Sequence, residues 1–207
     1  MKLIGYMDSP YVRRVAVSLQ FLEIAYEHVE LSIWRDYDEF RRINPLVKVP
    51  TLVYPDGQVL VDSTLIIDHI ERVAGRSLMP EGKTQHRQAS RVLGVVLIGM
   101  EKTVQLIYEK QHRPEDSRHQ PWIDRLEQQL AGAVEIMESS IDEVRQAGHP
   151  WLVGDTVTQA DISMAVAWRF MRNTRAVNID TAAFPGLNRF SERAEALPEF
   201  LACPLSG

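Results

Sequence analysis

The spacing of apolar positions changes near residue 76: before it short runs alternate with one helical stripe, and after it long stretches keep a helical period. Lys2 to Tyr6 is a short apolar run that predicts a strand. Asp8-Ser9-Pro10 predicts the start of a helix, because Ser favours the N-cap and Pro the first helical position. Behind it Val12, Val15, Ala16, Leu19 and Leu22 form one stripe at helical spacing. Glu27-His28-Val29-Glu30-Leu31 alternates and predicts a second strand, completing a βαβ unit whose crossover should be right-handed. Residues 32–44 read as irregular, with an optional helix. Residues 51–54 and 58–61 then flank Pro55-Asp56-Gly57 as a hairpin, and Asp62-Ser63 caps a helix ending near Gly75. The predicted order is β-α-β-(α)-β-β-α.

From residue 76 to 84 the composition turns to Gly, Pro, Ser and Lys, as in an interdomain linker. The boundaries drawn from this are a first domain over 1–76, a linker over 77–84 and a helical domain over 85–207. Helices are predicted over 85–111, 121–147, 158–172 and 187–196, and they must bury their faces on one another as a bundle. Thr158-Gln159-Ala160-Asp161 is a capping box in which Asp161 reaches back to the Thr158 amide, with Val157 stapled onto Ile162.

The composition, 45% hydrophobic and 25% charged, is that of an ordinary globular protein. A net charge of -5 with scattered His offers no basic face for a phosphate backbone, so nucleic acid is not an expected partner. The N-terminus turns polar at Asp8, too early for a signal h-region, and no apolar run reaches membrane-spanning length. A cytoplasmic location is expected. The one cysteine, Cys203, excludes an internal disulfide, a CxxC pair and a cysteine-based zinc site, and no metal is expected.

Four motifs stand in order along the chain: Ser9-Pro10-Tyr11 with Arg14, Lys48-Val49-Pro50, Asp62-Ser63, and Gly154-Asp155 to Asp161. Together with the element order and length they make the chain resemble the soluble glutathione transferase family over nearly its whole length. The likeness is to serine-type members with a Ser-Pro-Tyr motif, bacterial or tau- or zeta-like. The resemblance implies an α/β thioredoxin-like N-terminal domain, an all-α C-terminal bundle, a cytoplasmic homodimer, and a detoxifying transferase that uses glutathione as co-substrate.

A thiol with a pKa of about 8.5 is mostly protonated at neutral pH, so such an enzyme must stabilise the thiolate. The resemblance assigns that task to the Ser9 hydroxyl beside a helix N-terminus, as a hydrogen-bond donor and not as an acylated nucleophile. Taken alone, Ser9-Pro10 is a helix cap. Tyr6 is the competing hydroxyl and is expected to pack in the sheet. The resemblance makes Val49-Pro50 a cis-proline bend whose Val49 amide and carbonyl pair with the tripeptide backbone, where an isolated X-Pro bond reads as trans. It gives Lys48 to the glycine carboxylate, though an edge lysine is as readily a solvated charge. Ser63 would receive the γ-glutamyl carboxylate and Asp62 pair with its amine, Asp62 being one methylene shorter than the family's usual Glu or Gln. The electrophile is expected between domains, against Tyr11, Val104, Tyr108 and Trp168, positions that at helical spacing also read as core. Arg14 reads as a structural ion pair and Asp161 as a cap.

Three activities stay open: conjugation of glutathione to a hydrophobic electrophile; glutathione-dependent isomerisation, peroxidation or dehalogenation; and a non-catalytic binding module. Relatives that isomerise maleylacetoacetate usually carry a double serine, from which Asp8-Ser9-Pro10 departs. With no cysteine near Ser9, a cysteine-based thiol transferase is disfavoured.

Overall fold

The computed structural model describes residues 1–205 and separates into two compact units, one of Met1–Leu78 with the segment beginning at Ala196, the other of Met79–Glu195. The first unit runs β1 (Lys2–Ile4), α1 (Pro10–Phe21), β2 (Glu27–Val29), α2 (Tyr37–Ile43), β3 (Thr51–Val53), β4 (Val59–Val61) and α3 (Ser63–Ala74). Its sheet has the order β2-β1-β3-β4, with β1 and β2 parallel and the other pairs antiparallel. This is the thioredoxin-like arrangement implied by the resemblance. Leu3 and Ile4 project to opposite faces and are 0% and 2% exposed, so both faces of β1 are covered. Ile4 packs with Leu31 and with Phe40 of α2. Only Phe40 of that seven-residue helix is buried, yet its acidic first turn and basic last turn match the helix dipole.

The chain re-enters this unit at its C-terminal end, where α8 (Pro198–Leu201) packs on α1. Phe200 meets Phe21 edge-to-face at 6.4 Å, and the Arg13 guanidinium lies over the Phe200 ring while its Nε donates to the Cys203 carbonyl at 2.9 Å. The segment from Ala196, placed by sequence in the second domain, thus forms its contacts with the first. Pro198 ends the preceding helix, and the buried Phe200 and Cys203 find their cover on α1.

The second unit is helical: α4 (Lys83–Ile107), a π turn at Tyr108–His112, α5 (Gln120–Gln146), α6 (Gln159–Asn173) and α7 (Pro185–Glu195). α4 packs on α5 and α6, and α7 on both of these. α6 is buried almost continuously from Gln159 to Trp168, as a central helix of a bundle must be. Among the described residues no helix is long and apolar enough to cross a membrane.

Candidate functional site

Strand register gathers three of the sequence motifs. Ile4 at the end of β1 pairs with Thr51 at the start of β3, and Thr51 pairs with Val61 at the end of β4. The Ser9 loop follows β1, Pro50 precedes β3 and Asp62 follows β4, so all three meet one end of the sheet. Gly5 makes their approach possible. At its φ of +130°, a Cβ would lie 2.7 Å from Val12 Cγ2 and 2.8 Å from Val49 Cγ1, so only glycine lets the Val49 loop sit against the first turn of α1.

Ser9 is the N-cap of α1: its Oγ accepts from the Val12 amide at 3.4 Å and its own amide donates to the Tyr6 carbonyl at 3.1 Å. Accepting that bond leaves the hydroxyl hydrogen available to a ligand. No acidic residue occupies the first turn, so the positive end of the helix dipole is not offset there. Tyr6 does not pack in the sheet as expected. Its strand ends at Ile4 because Gly5 turns the backbone out of extended geometry, and Arg35 lies over the Tyr6 ring at 5.3 Å from its centre.

The Val49–Pro50 bond is cis. Neither the amide nor the carbonyl of Val49 has a hydrogen-bond partner among the described residues. The turn is braced from behind: Thr51 Oγ1 donates to the Lys48 carbonyl at 2.6 Å and accepts from Asn44 Nδ2 at 2.8 Å. The exposed Lys48 ammonium makes no salt bridge among the described residues. Val47, just before it, holds a φ of +46°, an uncommon conformation for a β-branched residue.

Asp62 caps α3 through Oδ1, which accepts from the Thr64 amide at 2.8 Å and the Leu65 amide at 3.3 Å, and it does so with a φ of +68°. Its second carboxylate oxygen is left for other work. Ser63 is buried, and its Oγ accepts from Arg14 Nη1 at 2.9 Å; the same nitrogen donates to Thr64 Oγ1 at 3.1 Å. Arg14 is therefore more than the α1 ion pair read from the sequence: it bridges to the first turn of α3. Burial pulls its pKa down to about 10, against the opposing charges of Asp62 and Tyr11. Periodicity carries no sign of this tertiary bond, and local patterns likewise miss Gly5 and Arg35.

In the second unit Trp168 is 0% exposed, donates from Nε1 to Asn188 Oδ1 at 3.0 Å and meets Phe184 edge-to-face. It is a core residue with no exposed surface, a correction to its placement in a substrate pocket. Val104 is half-buried; Tyr108 is 37% exposed at the start of the π turn, edge-on to His112, with its phenol pKa raised by burial. Tyr11 is half-buried in the first turn of α1. Asp161 forms the predicted capping box. Among the described residues no His, Cys, Asp and Glu cluster is arranged to hold a metal. A cavity of about 740 Å³ in the first unit, lined by Leu19, Tyr26, His28 and Pro204 among others, includes none of the residues gathered at the sheet's end.

The chain matches the family profile described as Glutathione S-transferase, N-terminal domain over residues 3–77, and that described as Glutathione S-transferase, C-terminal domain over residues 120–193. It is 27% identical to a probable maleylacetoacetate isomerase of Caenorhabditis elegans over 91% of this chain and 85% of that protein. It is 25% identical to a maleylacetoacetate isomerase of Pseudomonas aeruginosa over 97% of this chain and 93% of that one. Among solved structures, a glutathione S-transferase of Methylobacterium radiotolerans in complex with glutathione sulfonate superposes with a TM-score of 0.87 at 27% identity, covering 100% of this chain and 95% of that chain.

Proposed function

The chain belongs to the glutathione S-transferase family, and from that premise we propose that its first unit binds glutathione and holds the thiol as a thiolate for addition to a hydrophobic electrophile. The observation that carries this reading is the convergence, by strand register, of the Ser9, Val49-Pro50 and Asp62-Ser63 segments on one end of the sheet. The groups left without partners there suit the tripeptide. The Val49 amide and carbonyl can pair with an extended peptide backbone, and the Ser63 hydroxyl hydrogen suits a carboxylate at a helix start. Lys48 offers an ammonium to the glycine carboxylate, and the second oxygen of Asp62 an acceptor to the γ-glutamyl amine. Ser9 supplies the hydrogen bond to sulfur, aided by the α1 dipole. Tyr11, in the same turn, is proposed to contact the electrophile. Binding of glutathione sulfonate by the similar Methylobacterium structure supports the ligand assignment.

The test is a conjugation screen with aryl halides, enals and hydroperoxides, with and without the protein. Protein-dependent loss of glutathione thiol with at least one class is expected. No acceleration with any class would remove the transferase reading.

A glutathione-dependent isomerase is the second reading, favoured by the curated relatives named as maleylacetoacetate isomerases. Against it stands the single serine of Asp8-Ser9-Pro10. Spectrophotometric turnover of maleylacetoacetate with catalytic glutathione distinguishes the two, since isomerisation regenerates glutathione and conjugation consumes it. A homodimer and a cytoplasmic location complete the proposal.

A further inference from the structure

In a chain of net charge -5, basic side chains from three elements of the second unit meet over one cavity of about 350 Å³. Arg145 comes from the last turn of α5, His149 from the loop that follows, and Arg189 and Arg193 from α7. The floor between them is apolar, with Ile141, Leu152 and Phe190 buried there. Arg145 and His149 are already matched: Arg145 Nη2 pairs with Asp142 Oδ1 at 3.1 Å, and His149 Nδ1 lies 3.3 Å from Asp155 Oδ1. Arg189 is exposed and has no partner among the described residues, and Arg193 meets no carboxylate there. These two stand at i and i+4 on α7, where like charges repel and cost helix stability. Glu138, at the α7 start, does not relieve them, because its two oxygens accept from the Gly186 and Leu187 amides, each at 2.7 Å.

Arg193 is also held in place. Its Nη2 donates to the Pro150 carbonyl, and the guanidinium lies over the rings of Trp151 at 4.4 Å and Phe190 at 5.5 Å from their centres. A guanidinium carries five N–H donors, so most remain for a ligand, in a fork whose ordering cost the fold has already met.

We infer that this cavity binds a small aromatic carboxylate: Arg189 and Arg193 hold the carboxylate at the rim, and the ring lies on Ile141, Leu152 and Phe190. A carboxylate matches the guanidinium fork and relieves the repulsion along α7. The volume is at the low end for small-molecule sites and suits a body of about one or two rings. A bare inorganic anion would leave the apolar floor uncovered. All of these residues belong to the second unit, and the site stands whether or not the first unit binds glutathione.

The experiment is titration calorimetry with 2-naphthoate, its neutral isostere 2-naphthamide and inorganic phosphate, on the wild-type protein, Arg189→Gln and Arg189→Glu. Saturating S-hexylglutathione is present throughout to fill the proposed glutathione and electrophile positions, and unfolding midpoints are recorded in parallel. Wild type should bind 2-naphthoate at one site per chain, about tenfold or more tightly than 2-naphthamide or phosphate, as for a hydrogen bond to a charged group. Arg189→Gln should weaken 2-naphthoate about tenfold and Arg189→Glu further, by like-charge repulsion. In Arg189→Gln, 2-naphthamide should stay within about twofold of its wild-type affinity, since it shares no ion pair with that position. If Arg189→Glu does not fold, Arg189→Gln decides by the same criterion. No binding of 2-naphthoate by wild type, equal binding of the acid and the amide, phosphate bound as tightly as 2-naphthoate, or wild-type affinity for 2-naphthoate in the variants would each overturn the proposal.

Discussion

The Asp161 carboxylate accepts from both the amide and the hydroxyl of Thr158, at 2.8 and 2.6 Å, while its other oxygen accepts from the Leu152 amide at 2.8 Å. One buried side chain thus closes the loop before α6 and starts the most buried helix of the second unit. Burial pushes its carboxyl up, and the three hydrogen bonds resist that shift. Asp161→Ala leaves two buried amides without partners and removes the cap, so a loss of about 2–4 kcal/mol is expected from denaturant unfolding. Glutathione affinity measured below the unfolding range should not change.

Glu109 braces the segment after α4, accepting from the His119 amide at 3.1 Å and from Arg113 Nε at 2.8 Å. These bonds, the His119 amide first, hold its carboxyl below the ordinary range. A lowered folded pKa means that its stabilisation is present above the unfolded value and is lost as pH falls through the folded one. Hydrogen exchange of the His119 amide, corrected for intrinsic rate, should therefore speed up on acidification through this range. In Glu109→Gln it should be faster at neutral pH and nearly flat over the same range. Matching profiles in the two proteins would refute the brace.

Gly5→Ala places a methyl group within 3 Å of Val12 and Val49 and at a φ that L residues rarely adopt. Overpacking and backbone strain together predict about 2–4 kcal/mol of destabilisation in urea unfolding. Because Val49 must shift, glutathione affinity should fall as well. Unaltered affinity would mean that the Val49 loop does not contribute to binding.

These cases also mark what was readable from sequence. The starts of α1, α3 and α6 were legible at Ser9-Pro10, Asp62-Ser63 and Thr158 to Asp161, because capping is local chemistry within one helical turn. The α2 helix was legible only as an option within residues 32–44, since Tyr37, Phe40 and Ile43 make too short a stripe to impose a period. The return of Phe200 and Cys203 to α1, and the bond from Arg14 to Ser63 across 49 residues, depend on tertiary packing that no local window contains. Trp168 failed as a pocket residue for the same reason: helical spacing does not say which face meets the core.

Ser9→Ala should raise the apparent pKa of bound glutathione and slow conjugation at neutral pH, by about a hundredfold if the donor acts as in other preorganised anion sites. Glutathione affinity should stay nearly constant, since only the contact to sulfur is removed. The rate measured against pH decides this. An unchanged profile in Ser9→Ala with a collapsed one in Tyr6→Phe would assign the hydroxyl to Tyr6.

Leu65 and Val73 on α3 and Ile98 on α4 are exposed apolar side chains, 66%, 54% and 51% accessible. A homodimer that covers such positions is expected, and sedimentation at micromolar concentration should give about twice the 23.6 kDa monomer mass. A monomer at every concentration would contradict it.

The most direct measurement is calorimetric titration of glutathione into the wild-type protein and into Ser63→Ala. Ser63 addresses the γ-glutamyl end, remote from the reacting sulfur, so its loss should weaken binding and leave kcat largely intact. Wild type should bind glutathione with one site per chain, and Ser63→Ala should bind more weakly by about 1.5–3 kcal/mol, the scale of a hydrogen bond to a charged carboxylate. Wild-type affinity in Ser63→Ala, or no binding by the wild-type protein, would contradict a glutathione site at the start of α3.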